Sequence, residues 1–107
     1  MATYWTVPGR VVRVIDADTI MVKLDLGWRI SYEAGVRIMG INAPELSTAV
    51  GKEARAFAIS LLPVDLPVVV VSRQLDKYGR VLGSIAMPGG LDFAQALLNA
   101  GYAVRSP

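Results

Sequence analysis

Alternation of apolar and polar residues from Thr19 to Leu26 constrains the fold more than any other feature of this chain. Every second residue there is apolar: Ile20, Val22, Leu24 and Leu26. Side chains of a β-strand point alternately to opposite faces, so this period of two predicts a strand with one face in a core. The valine-rich segment from Arg10 to Ile15 predicts another strand. We expect the two to be antiparallel.

A third strand is predicted after a turn at Leu26–Gly27, because apolar residues alternate again from Trp28 to Ala34. Gly35 is expected to form a bulge or bend, since a glycine inside a strand commonly marks such a break. The strand then resumes from Val36 to Ile41. Three aromatic residues on apolar stripes are predicted to be core residues: Trp28, Tyr32 and Phe57. The first part of the chain therefore predicts a three-stranded meander.

Helical spacing replaces alternation in the next segment. Apolar residues at i, i+3, i+4, i+7 and i+8 predict an amphipathic helix from Gly51 to Leu62, which ends at Pro63. Strands are predicted from Val68 to Val71 and from Val81 to Met87. The segment Asp76–Arg80 is the expected hairpin loop between them.

A second, short helix is predicted from Leu91 to Ala100, with Gly101 as its left-handed cap. This order of elements predicts an α+β, mainly β fold. We expect a five-stranded barrel of the oligonucleotide/oligosaccharide-binding (OB) type, with one helix between strands 3 and 4 and a short C-terminal helix. A chain of 107 residues is large enough for one core, so residues 1–107 are predicted to form a single domain.

Composition excludes several kinds of chemistry. The chain contains no cysteine and no histidine, which excludes disulfides, thiolate or imidazole metal ligands and a histidine base. A net charge of +2 does not by itself identify a nucleic-acid partner. No apolar run is long enough for a bilayer, so we expect no membrane partner. No leader pattern is visible at Met1–Thr6, so the expected location is cytoplasmic by default. We also expect a monomer.

Carboxylates and arginines cluster near the ends of the predicted strands. Five short segments carry them: Asp16-Ala17-Asp18-Thr19, Arg37, Asn42-Ala43-Pro44-Glu45, Gly51-Lys52-Glu53-Ala54 and Asp76-Lys77-Tyr78-Gly79-Arg80. Carboxylates can hold a hard cation and activate water, and arginines can neutralise a phosphate. These residue types suit attack on phosphorus.

In this order and spacing, the segments resemble the staphylococcal nuclease (thermonuclease) family, from about Val11 to Val104. The resemblance implies a calcium-dependent phosphodiesterase acting on DNA and RNA, with Mg²⁺ or another divalent cation as a substitute. It assigns Asp18, Asn42 and Ala43 to the metal. It assigns Arg37 and Arg80 to the scissile phosphate and Glu45 to the attacking water. Lys77 and Tyr78 are then expected to contact the substrate.

One departure from the family pattern leaves a second function open. The family usually has aspartate where this chain has Asn42, and the lost charge should weaken metal binding. The alternative is therefore a catalytically inactive nuclease-like domain that binds nucleic acid or protein; a structural scaffold is a third reading. Taken singly, Asp18 is also an ordinary turn residue, and Arg37 is also an ordinary arginine on a solvated strand face.

Overall fold

The computed structural model describes residues 5–106. Positions 1–4 of the Met1–Thr6 segment, where no leader pattern was seen, lie outside the described residues. Strands β1 (Trp5–Asp16), β2 (Thr19–Asp25) and β3 (Ser31–Ile38) form the predicted antiparallel meander. As predicted from its alternation, β2 has one face in the core, where Ile20 and Val22 are fully buried.

Two helices and four strands follow in the rest of the described residues. They are β4 (Ile41–Asn42), α1 (Ala49–Leu61), β5 (Pro67–Leu75), β6 (Val81–Ala86), α2 (Phe93–Asn99) and β7 (Val104–Arg105). The predicted helices and hairpin are present with ends that differ by a few residues. Gly101 has φ +80°, as expected of a left-handed cap. Neither helix within residues 5–106 is long and apolar enough to cross a bilayer.

Five strands close into a barrel in the order β1-β2-β3-β6-β5. Closure needs one parallel pair, in which Val36 of β3 lies beside Val81 of β6. Helix α1 connects the third and fourth barrel strands and packs against β1. From α2, Phe93 and Leu97 enter the same core, both fully buried. The mainly β, OB-like barrel with two helices is therefore confirmed.

The bend predicted at Gly35 is wrong. Gly35 pairs with Met21 in an uninterrupted register between β2 and β3. The register shifts lie instead in β1, between Val11 and Arg13 and between Val14 and Asp16, and in β5. A Cβ at position 35 would lie 3.6 Å from Cγ of Arg80, an ordinary van der Waals contact, so Gly35 is a regular strand residue next to the Arg80 side chain.

The core positions predicted for Trp28 and Tyr32 are also wrong. Trp28 is 96% exposed and Tyr32 is 56% exposed. Trp28 has φ 55° and belongs to a tight turn in which the Ile30 amide donates to the Gly27 carbonyl. The apolar pattern continues past the point where the hairpin leaves the core. Phe57 does pack against the core, with its ring centroid 5.1 Å from that of Tyr102.

A small second sheet was not predicted. The chain turns at Gly40, which has φ +82°, and β4 then pairs with β7 near the C-terminal end of the described residues. Asn42 lies beside Val104 in this sheet, and the Ser106 amide donates to the Gly40 carbonyl. These contacts fix the loop that follows β3, so the segment predicted as strand up to Ile41 is two strands separated by a turn.

Candidate active site

Asp18 lies in the tight turn between β1 and β2, next to the end of β3. Its carboxylate is 15% exposed, and Oδ2 accepts a hydrogen bond from the Ala43 amide at 3.1 Å. Its backbone carbonyl accepts from the Ile38 amide at 2.9 Å. The Thr19 hydroxyl contacts Oδ1 at 3.4 Å. The carboxylate is therefore held against the loop after β3 and is more than a solvated turn residue.

Arg37 connects these parts. Its neighbours Val36 and Ile38 point into the core, so Arg37 projects from the outer face of β3, as predicted. Its guanidinium donates to the backbone carbonyls of Ile38 at 2.6 Å and Ile41 at 3.2 Å. The same group lies 3.4 Å from Asp18 Oδ2 and donates to Asn42 Oδ1 at 2.9 Å.

With a side chain 21% exposed and four acceptors around it, Arg37 is held in one orientation. This arrangement does not fit the simple reading of Arg37 as a free arginine on a solvated face. Hydrogen bonds that fix a guanidinium in advance reduce the reorganisation needed when a charged ligand arrives.

Glu45 lies on the surface, in the loop between β4 and α1. Its backbone carbonyl accepts from the Thr48 amide at 3.0 Å and from the Thr48 hydroxyl at 2.7 Å. The loop is therefore ordered by the first turn of α1, while the carboxylate itself faces solvent. Because Glu45 is exposed, its carboxylate is free to contact water.

Arg80 lies at the end of the β5–β6 loop. Its Nε donates to Asp76 Oδ2 at 2.6 Å, and Asp76 Oδ1 accepts from the amides of Tyr78 and Arg80. Desolvation raises the pKa of Asp76, but the hydrogen bonds from Arg80 and Tyr78 together hold it below its usual range. No role was predicted for Asp76, although its spacing of four residues from Arg80 was a signal for this pair.

The two arginines share one face of the barrel. Val36 and Val81 are neighbours in the parallel β3–β6 pair, and Cγ of Arg80 lies next to Gly35. Gly35 and Arg37 are two residues apart and point to the same side, about 7 Å along the strand. Arg80 therefore extends from the same outer surface as Arg37.

Lys77 and Tyr78 occupy the tip of the same loop. Tyr78 is 72% exposed, with Lys77 Nζ 5.2 Å and Arg80 Cζ 5.4 Å from its ring centroid. These distances allow cation–π contacts on an aromatic ring that is open to solvent. The loop thus offers a phosphate or a base both charge and a stacking surface.

The residues predicted to bind the metal offer oxygen donors. Asp18 and Asn42 contribute side-chain oxygens, and Ala43 has a backbone carbonyl; hard oxygen donors of this kind suit Ca²⁺ or Mg²⁺. The three residues are adjacent, because the Ala43 amide and Asp18 are hydrogen-bonded. Within residues 5–106, however, no group of three acidic side chains is placed to hold a metal ion. The donor types suit a divalent cation. Because the donor set carries little negative charge, weak cation binding is expected.

Two cavities lie at different places on the barrel. One of about 210 Å³ is beside Asn42 and Ala43, next to Tyr102. A larger one of about 810 Å³ opens at the opposite end of the barrel, lined by residues such as Leu24, Pro67 and Met87. Its lining contains none of the predicted site residues, so size alone would misplace the chemistry. The candidate site is the polar, open surface around Arg37.

Comparison with known proteins identifies the family of the chain. Residues 35–106 match the family described as "Staphylococcal nuclease homologue". An "Uncharacterized endonuclease" of Escherichia coli is 37% identical over 95 residues, which cover 89% of this chain and 58% of that protein. "Micrococcal nuclease" of Shigella flexneri is 36% identical over 80 residues, 75% of this chain and 42% of that protein. "Protein ParB" of Escherichia coli is 39% identical over 77 residues, 72% and 40% respectively.

The chain therefore belongs to the staphylococcal nuclease family. It spans about half the length of the curated relatives that it matches, between 40% and 58% of each. Arg37, Asn42, Glu45 and Arg80 lie inside the segment that matches the family, and Asp18 precedes it.

Proposed function

We propose that this protein is a metal-dependent nuclease that hydrolyses phosphodiester bonds of DNA, RNA or both, with Ca²⁺ as the first candidate cation. The observation that carries the proposal is the position of Arg37, whose guanidinium joins the Asp18 turn to Asn42 on one polar surface. Membership of a family with named nucleases supports the same reaction class.

The proposed roles follow from charge. Arg37 and Arg80 bind the oxygens of the scissile phosphate, where negative charge increases in the transition state. Because the chain has no histidine, Glu45 is the proposed base that positions and deprotonates water. Lys77 and Tyr78 contact the neighbouring substrate phosphate and base.

Asp18, Asn42 and Ala43 would hold the cation. When bound, a divalent cation supplies Lewis-acid charge stabilisation at the phosphate. The site itself contributes one carboxylate, so its affinity for the cation is expected to be modest. Arg37 should lower the affinity for the cation further, because its positive charge lies 3.4 Å from Asp18 and repels a second cation nearby.

The second candidate is a domain that binds nucleic acid without cleaving it. Asn42 favours this candidate, because it replaces a carboxylate expected in the family pattern and its Oδ1 already accepts from Arg37. Cleavage and binding must therefore be measured on the same sample.

The test uses an end-labelled single-stranded oligonucleotide with Ca²⁺, with Mg²⁺ and with a chelator. Arg80→Ala is the inactive variant, and Lys23→Ala is the matched control, since Lys23 is an exposed cation lining the opposite end of the barrel. We expect metal-dependent cleavage by the wild type and by Lys23→Ala, and its loss in Arg80→Ala. Binding without cleavage at every metal concentration would establish the second candidate instead.

A further inference from the structure

Helix α1 contacts both halves of the candidate site. Its N-terminal turn meets the Glu45 loop, and one turn later Arg55 reaches the strand that leads to Asp18.

Gly51 is the closest point between α1 and the Glu45 loop. A Cβ built on Gly51 would lie 2.5 Å from the carbonyl carbon of Glu45 and closer still to its oxygen. Real Cβ atoms do not approach other atoms this closely. Gly51 is buried and has ordinary helical geometry, so the glycine is required here by space and not by φ.

Thr48 adds hydrogen bonds at the same point. Its hydroxyl and its amide both donate to the Glu45 carbonyl, at 2.7 and 3.0 Å. As the N-cap of α1, the hydroxyl also accepts from the Gly51 amide at 3.0 Å. The backbone of Glu45 is therefore fixed to the first turn of the helix from two sides.

Arg55 fixes the other half. Its Nε donates to the Ile15 carbonyl at 3.0 Å and its Nη2 to the Val14 carbonyl at 3.2 Å. The β1–β2 register shifts between Val14 and Asp16, which leaves Ile15 without a partner in β2. The half-buried Arg55 thus supplies donors to a bulge that lies immediately before the Asp16–Asp18 turn.

We infer that α1 sets the distance between the water-activating and metal-binding halves of the site, with Gly51 and Arg55 as positioning residues for Glu45 and Asp18. The inference rests on the proposed function for the roles of those two carboxylates. It predicts that two substitutions on one helix have different kinetic effects.

Gly51→Ala tests the Glu45 half. Alanine is the better helix former, yet its Cβ must displace the Glu45 backbone by on the order of 1 Å, a shift that can cost roughly 100-fold in rate. We expect kcat to fall roughly 10- to 100-fold, with KM for the oligonucleotide unchanged. In a Glu45→Ala background the same substitution should cause no further loss, because the two act through one group.

Arg55→Gln tests the Asp18 half. Loss of the bulge donors should loosen the Asp18 turn and raise the calcium dissociation constant about 10-fold, the usual effect of removing groups that support metal ligands. Titration calorimetry measures this without substrate. At saturating calcium, kcat should stay within about twofold of the wild type. Lys52→Ala, an exposed cation on the same helix, is the control and should change neither quantity.

If Gly51→Ala does not fold, Thr48→Val and Thr48→Ser replace it, since serine keeps the hydroxyl that donates to Glu45 and valine removes it. A loss of kcat in the valine variant alone supports the inference. Two results overturn the inference. One is a loss of kcat in Thr48→Val no larger than that in Lys52→Ala. The other is a loss of kcat that is the same with Glu45 present and in the Glu45→Ala background.

Failure of the proposed function is recognised separately, as a wild type that does not cleave the oligonucleotide with either Ca²⁺ or Mg²⁺. The calcium titration then decides the inference: an unchanged dissociation constant in Arg55→Gln, or no binding by the wild type, overturns it.

Discussion

Two arginine–aspartate pairs of the described residues are built in different ways. Arg37 lies on β3 and Asp18 in the turn between β1 and β2, and the two lie 3.4 Å apart; the guanidinium also donates to backbone carbonyls. Arg80 and Asp76 are four residues apart in one loop and lie 2.6 Å apart. The first pair depends on the pairing of β2 with β3, in which Thr19 lies beside Arg37, whereas the second forms within a single hairpin loop.

This difference separates stability from function. Arg37 satisfies carbonyls at a place where β3 turns into β4, so its loss should affect both folding and catalysis. Arg80 is 39% exposed and Asp76 is 12% exposed, so solvent partly screens the pair and its contribution to stability is small. Loss of Arg80 should affect catalysis more than folding.

The largest expected effect is that of Arg37→Ala. The substitution removes a phosphate-binding group and leaves the Ile38 and Ile41 carbonyls without their side-chain donor. We expect kcat to fall roughly 10³-fold and the free energy of unfolding to fall by about 2 kcal/mol. Oligonucleotide cleavage and urea unfolding measure the two. Activity within tenfold of the wild type would contradict the proposed role.

Arg80→Ala should lower kcat by roughly 10²-fold and the free energy of unfolding by less than about 1 kcal/mol. The same two measurements apply, so the ratio of the effects can be compared directly with that of Arg37→Ala. A stability loss as large as that of Arg37→Ala would remove the distinction between the tertiary and the local pair.

Asn42→Asp should have a smaller effect, in the opposite direction. A second carboxylate beside Asp18 adds charge to the metal site and should lower the calcium dissociation constant about 10-fold. Calorimetric titration checks this, with Ser31→Asp as a control that adds the same charge at the opposite end of the barrel. Weaker calcium binding in Asn42→Asp would show that Arg37 captures the new carboxylate.

The smallest effect concerns acid. Hydrogen bonds from Arg80 and Tyr78 lower the pKa of Asp76 below the usual 3.8. The ionised carboxylate therefore stabilises the loop above about pH 4, and this contribution is lost as the pH falls through the lowered pKa. Protection of the Tyr78 and Arg80 amides against hydrogen exchange, relative to an unstructured peptide at the same pH, should decrease over that range in the wild type. In Asp76→Asn this decrease should be absent, and a protection profile equal to that of the wild type would contradict the prediction.

Prediction from sequence was most successful where a residue pattern repeats. Alternation in β2 and helical spacing in α1 depend on local geometry, so both elements were predicted with small errors at their ends. It failed at Trp28 and Gly35, where the pattern was present but the surroundings were decisive. Trp28 lies beyond the edge of the core, and Gly35 continues the regular β2–β3 ladder.

The site divides in the same way. Sequence alone supplied the identities and the spacing of Asp18, Arg37, Glu45 and Arg80, because residue type and order are local information. Their mutual placement was decided by the tertiary structure. The parallel β3–β6 pair brings Arg80 to the face of Arg37, and the unpredicted β4–β7 sheet fixes Asn42. Pairings between segments far apart in the chain form only in the assembled fold, in the closed barrel or in the separate β4–β7 sheet, and no single segment of the sequence encodes them.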